Sequence, residues 1–127
     1  MNWVLVGLGG LLGSLSRYGV SLLLQRVTDS TNYPLGILTV NVVGCFVGGL
    51  VLARSDVDAG LSPELKLFLV VGFLGGFTTF SALGMDTHSI LQDGQLAKAL
   101  LNVVLNVVVG TAAVWAGFQL AAPARGG

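Results

Sequence analysis

The chain has 127 residues, of which 54% are hydrophobic and 9% charged, with six Lys and Arg balancing six Asp and Glu; its mean hydropathy is +0.86. Soluble domains carry about 25% charged residues because a folded chain needs a solvated skin, so this composition excludes a water-soluble globule and points to a bilayer. The neutral balance gives no reason to expect nucleic acid or an anionic membrane surface as a partner.

Crossing about 30 Å of hydrocarbon takes about 20 predominantly apolar residues, and four stretches qualify. The first covers residues 3–24. It has no basic region ahead of it and three more apolar stretches behind it, so it reads as a retained spanning helix rather than a signal peptide. Gly9, Gly10 and Gly13 lie on one side of it, where small residues let backbones approach in lipid. Arg17, in its far half, either attracts an anion at a vestibule or reaches the interface. A polar loop follows, with Arg26, Thr28, Asp29, Ser30, Thr31 and Asn32.

The second stretch, residues 35–53, opens behind Pro34, a residue tolerated in a first helical turn. Gly44 and Gly48 share one side. Cys45 is the only cysteine and has no Cys/His cluster around it, so it reads as a packed thiol. Asn41 stands amid Leu38, Val40, Val42 and Val43. An amide there either donates to an anion or bonds a neighbouring helix as structural glue.

After the polar run 54–60, Ser62-Pro63-Glu64 supplies an N-cap, a proline at the first helical position and an early acid. The third helix covers residues 63–83 and continues, less apolar, towards Leu91. Inside it, Gly72-Phe73-Leu74-Gly75-Gly76-Phe77-Thr78-Thr79-Phe80-Ser81 sets two adjacent glycines before two threonines, which predicts a break. Unwound backbone at membrane depth survives only where it is buried in protein or lines a cavity. Its freed carbonyls can hold a cation, or the threonine hydroxyls can satisfy a simple kink. Asp93-Gly94 marks a turn, and the fourth helix covers residues 96–120. Its Asn102, Asn106 and Gly110 follow at i, i+4 and i+8 and form one stripe. Such a stripe lines a wet track or zips to another helix. A short tail ends the chain, which reads as one domain over residues 1–127.

Two counts bear on function. With both termini and the second loop on one side, Arg54, Lys66 and Arg125 face Arg26 and Lys98, a split that gives the positive-inside rule almost nothing to act on. Such a chain can insert both ways round and form an antiparallel dimer, and four helices leave little room for a pore in one subunit. In addition, Asp29, Asp56, Asp58, Glu64 and Asp93 fall in loops or at helix ends, and Asp86 follows the third helical core. Cation channels and proton-coupled exporters commonly use an intramembrane carboxylate. Neutral donors and one arginine favour an anion or a neutral solute.

The chain resembles the Fluc (CrcB-type) fluoride channels over nearly its whole length. The matching motifs are Gly9-Gly10-Leu11-Leu12-Gly13-Ser14-Leu15-Ser16-Arg17-Tyr18, Pro34-Leu35-Gly36-Ile37-Leu38-Thr39-Val40-Asn41 and the run from Gly72 to Ser81. The resemblance implies an all-α membrane protein with four transmembrane helices per subunit, the third broken mid-membrane. It also implies an antiparallel, dual-topology dimer with two pores in a bacterial plasma membrane. Such a dimer releases cytoplasmic fluoride passively and carries a structural sodium ion at its centre, held by main-chain carbonyls that fall on Gly75 and Thr78. The implied ion pathway passes Asn41, Thr79, Phe80, Ser81, Asn102 and Asn106, with Arg17 at a vestibule. A ring edge is electropositive, and weak, multiple sites suit conduction.

Three features depart from the family pattern. Asparagines replace commoner hydroxyls on the fourth helix, and Gly110 offers no side chain there. Leu83 stands where the family places a second phenylalanine; Phe46 or Phe77 would have to compensate, or the chain pairs with a different paralogue. One further position keeps to the pattern: an acid usually follows the motif, and Asp86 takes that place. The alternatives are a structural, assembly or heterodimer-partner subunit without conduction of its own, and a small multidrug exporter. The exporter needs a carboxylate in the first helix, which has none. An enzyme is not expected, since His88 has no catalytic partner in the pattern.

Overall fold

Apolar runs ended by hydroxyl, Pro and Gly signals fold here into long helices. A computed structural model describes residues 1–55 and 60–122. Asp56 and Asp58 of the expected polar loop, and Arg125 of the expected tail, lie outside the described residues. Among the described residues there is no strand. Helix α1 is Asn2–Thr31 and α2 is Leu35–Ser55. Helix α3 covers residues 63–77, α4 is Phe80–Gln92, and α5 is Leu96–Ala121.

Helix α1 continues beyond the expected 3–24. Ser30 Oγ and Thr31 Oγ1 each donate to the Val27 carbonyl, at 3.0 and 2.8 Å, and so hold residues 28–31 in the helix. Asn32 then turns left-handed at φ 49° and returns its N–H to the Thr28 carbonyl, which ends the run. Lys98 Nζ donates to the Asn32 carbonyl at 3.1 Å and ties the start of α5 to this corner. At the head of α3, Ser62 Oγ accepts the Leu65 N–H at 3.2 Å, with Pro63 at the first helical position. Between α4 and α5, Gly94 takes φ +73°, a conformation a Cβ disfavours.

Among the described residues, three helices are long and apolar enough to cross a membrane: Leu35–Ser55, Pro63–Gln92 counted across its break, and Leu96–Ala121. Helix α1 is longer than any single one of the others at 30 residues, but Arg17 and its polar C-terminal turns dilute it.

Two extended contacts arrange the helices: α1 against α3, and α2 against α5. Both are backbone against backbone. A Cβ on Gly13 would strike the Phe73 carbonyl, and one on Gly9 would lie 2.9 Å from Gly72 Cα. The α2–α5 contact is reciprocal, since Gly49 abuts the Val114 carbonyl and Gly117 abuts the Phe46 carbonyl. Removing the side chain at each crossing lets dispersion act over the shortest distance. The core also holds Val40, Leu74, Phe77, Leu83 and Ala99, and, among the described residues, two buried polar side chains, Asn102 and Asn106.

Gly49→Val and Gly117→Val should each destabilise the protein by about 1–3 kcal/mol through overpacking, read as a lower thermal midpoint in detergent. Gly7→Ala and Gly19→Ala, where an added Cβ meets nothing within 4 Å, should leave that midpoint unchanged or raise it.

Candidate functional site

The helix started at Pro63 stops at Phe77 and restarts at Phe80. Between them Thr78 (φ −80°, ψ 156°) and Thr79 (φ −153°, ψ 117°) are extended. The break strips partners from the backbone, and each loss is answered nearby. Thr78 keeps its N–H on the Leu74 carbonyl at 2.9 Å, and its hydroxyl donates to the same oxygen at 2.8 Å. The Thr79 N–H would meet the Gly75 carbonyl in an unbroken helix; it donates instead to Asn41 Oδ1 at 2.9 Å. Asn41 Nδ2 in turn donates to the Thr79 carbonyl at 3.2 Å. One side-chain amide thus clamps both backbone groups of one residue. Thr79 Oγ1 accepts the Ala82 N–H at 3.2 Å and caps α4.

Helix α2 makes this approach feasible. Gly44 follows Asn41 on the same face, and a Cβ there would collide with Thr78 Cγ2. The unwound segment therefore lies against bare backbone, with the Asn41 amide one turn away.

Asn41 Nδ2 also donates to Asn106 Oδ1 at 2.9 Å. Asn106 Nδ2 donates to the Asn102 carbonyl at 2.9 Å and reaches Asn102 Oδ1 at 3.4 Å. Asn102 Nδ2 donates to Thr87 Oγ1 at 3.0 Å, and Thr87 donates to the Leu83 carbonyl at 2.7 Å. Every donor in this series points the same way, from α2 through α5 to α4. Helix α5 widens to π-type turns over Leu105–Val109. The Asn106 amide bonds the Asn102 carbonyl within this segment.

Beside the break lies a cleft of about 250 Å³. Asn41, Thr78, Thr79 and Asn106 supply its polar lining, and Phe80, Leu83, Val107 and Cys45 the rest. Among the described residues no carboxylate lines it. The N-terminus of α4 opens beside it, the end of a helix that carries positive partial charge.

The residues named from sequence are distributed unevenly. Asn41, Thr79, Phe80 and Asn106 meet at the cleft, and Phe80 is 84% exposed in the single chain. Ser81 is not part of the lining, but its hydroxyl lies 3.2 Å from that of Thr79. Asn102 is buried behind Asn106 and does not line the cleft. Arg17 is half-buried on α1 and also stays outside the lining. Gly75 is exposed and Thr78 half-buried. Leu83 does line the cleft, whereas Phe77 is buried and stacked on Phe73 with ring centroids 5.8 Å apart. Neither Phe77 nor Phe46 reaches the cleft lining.

Sequence reasoning passed over Thr87, the acceptor for Asn102. Its signal is its register: Thr87 lies six residues before the Asp93-Gly94 turn and Asn102 eight after it, so a helical hairpin folded there brings them to neighbouring levels.

The family model described as "CrcB-like protein, Camphor Resistance (CrcB)" matches residues 4–118. The chain belongs to the CrcB-like family. It is 44% identical over 119 residues to the "Fluoride-specific ion channel FluC" of Thermus thermophilus, covering 94% of each chain. It is 47% identical over 115 residues to the protein of that name from Paracoccus denitrificans, covering 91% of this chain and 90% of the relative. It is 38% identical over 117 residues to that of Methylobacillus flagellatus, covering 92% and 91%. The CrcB-like family is one of channels, not enzymes, and membership together with three apolar helices makes this a multi-pass membrane protein.

Asn41→Ala should leave the Thr79 N–H without a partner, a loss of about 1–3 kcal/mol for a buried donor. Amide hydrogen exchange at Thr79 should accelerate accordingly. Exchange unchanged from the parent would mean that the clamp does not hold the break.

Proposed function

We propose that the chain is a subunit of a passive, fluoride-selective channel that lets fluoride leave the cytoplasm down its gradient. The observation that carries this reading is the cleft beside the helix break, whose polar lining is amide and hydroxyl groups and, among the described residues, includes no carboxylate. The names of the relatives support fluoride as the ion. Neutral donors, the edge of the Phe80 ring and the α4 N-terminus each replace part of a hydration shell without a fixed positive charge. None alone traps the ion, which is what conduction requires.

In this reading α1 is the fourth spanning helix, and Arg17 draws anions towards a vestibule. The chain pairs with a second copy in antiparallel orientation in a bacterial plasma membrane; the nearly even loop charge supports both insertions. Exposed Phe80 and Gly75 face that partner side. The break also suits a sodium ion. Its Gly75 carbonyl has lost the Thr79 N–H to Asn41, Thr78 is extended, and Gly75 has no side chain to block approach. Main-chain oxygens of Gly75 and Thr78 from both copies would hold the cation, which supplies charge that fixes the dimer and is not carried. Leu83 gives the cleft an aliphatic wall where the family places a second ring.

Liposomes holding the purified chain should release fluoride and retain chloride, followed with ion-selective electrodes. No release from a folded preparation would overturn the homodimeric channel. Release restored by co-expression with a paralogue would then identify a heterodimer partner, and none restored would identify a structural subunit. Asn41→Asp should cut the fluoride rate at least about tenfold by like-charge repulsion while leaving the elution volume unchanged. Replacing sodium on both sides with a large organic cation should weaken dimer or flux; indifference to sodium would remove that ion from the assignment.

A further inference from the structure

Asn41 has two amide N–H groups, and both are engaged. One closes the clamp on the Thr79 carbonyl, and the other is held by Asn106 Oδ1 at 2.9 Å. The clamp alone sets which way the amide faces, because Asn41 Oδ1 takes the Thr79 N–H. The N–H on Asn106 is therefore the one that Asn41 can release without opening the helix break. Asn106 has its own Nδ2 turned back to Asn102. With the network closed, neither amide at the cleft has a free donor aimed into it.

We infer that Asn106 is a resident acceptor that occupies the Asn41 donor and must be displaced by each passing anion, so that it sets how weakly the ion is held. This rests on the fluoride-channel reading above. A fluoride ion carries a full charge and accepts a hydrogen bond more strongly than a neutral amide oxygen, so it can take the N–H from Asn106 Oδ1. When the ion moves on, Asn106 recovers the bond, and the energy returned lowers the barrier to exit. Part of the binding energy is spent on the exchange, which keeps the site shallow enough for throughput. Asn102 is a positioning residue in this scheme. Its carbonyl holds the Asn106 Nδ2, so the oxygen of Asn106 and not its N–H faces Asn41.

The test compares fluoride efflux from liposomes for the parent, Asn106→Leu, which is close in size but has no acceptor, and Asn106→Ala. The half-saturating fluoride concentration should fall about tenfold in the variants, the factor equivalent to one hydrogen bond of about 1.4 kcal/mol, with no gain in maximal rate. A merely structural Asn106 would leave half-saturation unchanged or raise it in both variants, and either result would overturn the inference. Where the variants fail to fold, fluoride titration of the ¹⁵N-labelled parent decides: the side-chain NH₂ signals of Asn41 and Asn106 should shift together, and an unmoved Asn106 signal overturns the inference. A parent chain that passes no fluoride is a separate result, which removes the channel reading and this inference with it.

Discussion

An interrupted helix in an apolar rod leaves backbone groups without partners, and the rest of this structure is arranged around meeting that debt. A buried N–H or C=O without a hydrogen bond costs about as much as the bond itself, and hydrocarbon offers no water in compensation. The Thr78-Thr79 segment is met by one amide, Asn41, which serves both polar groups of Thr79. For that amide to reach, α2 must lie against the unwound segment, and Gly44 removes the obstacle. The α2–α5 crossing at Gly49 and Gly117 then brings Asn106 within a hydrogen bond of Asn41. Glycine packing and polar chemistry are thus a single arrangement: a side chain at the crossing would separate the helices and part the amides.

Much of this was legible in the sequence. Two glycines before two threonines marked the break, because glycine weakens a helix and threonine can cap its restart. The stripes Gly9-Gly13 and Asn102-Asn106 were visible at helical spacing. Partner choice was not, because it depends on register between helices far apart in the chain. Asn41 could be seen to need a partner but not to find Thr79 on one side and Asn106 on the other. The ending of α1 was misread because Ser and Thr compete with the helix for backbone bonds; here their hydroxyls bond back to Val27 and extend it.

The phenylalanines show a second limit. Phe77 and Phe80 are three residues apart and would share a face in an unbroken helix. Phe77 is buried against Phe73, while Phe80 is 84% exposed. Two extended residues re-phase the second half of the rod relative to the first, so periodicity counted across the break assigns the wrong face. Leu83, one turn after Phe80 within α4, lines the cleft with it, so spacing counted on one side of the break alone does hold.

The chemistry of the site follows from what it omits. A carboxylate at this depth would repel an anion, and an arginine or lysine would bind it too well; amides do neither. An amide also donates and accepts at once, so a row of them can satisfy itself while no ion is present. The series from Asn41 through Asn106 and Asn102 to Thr87 does this with every donor pointing one way, an order in which each bond polarises the next. The asparagines therefore let a buried polar row remain satisfied at rest, and the resting network itself becomes the competitor that an entering ion must displace.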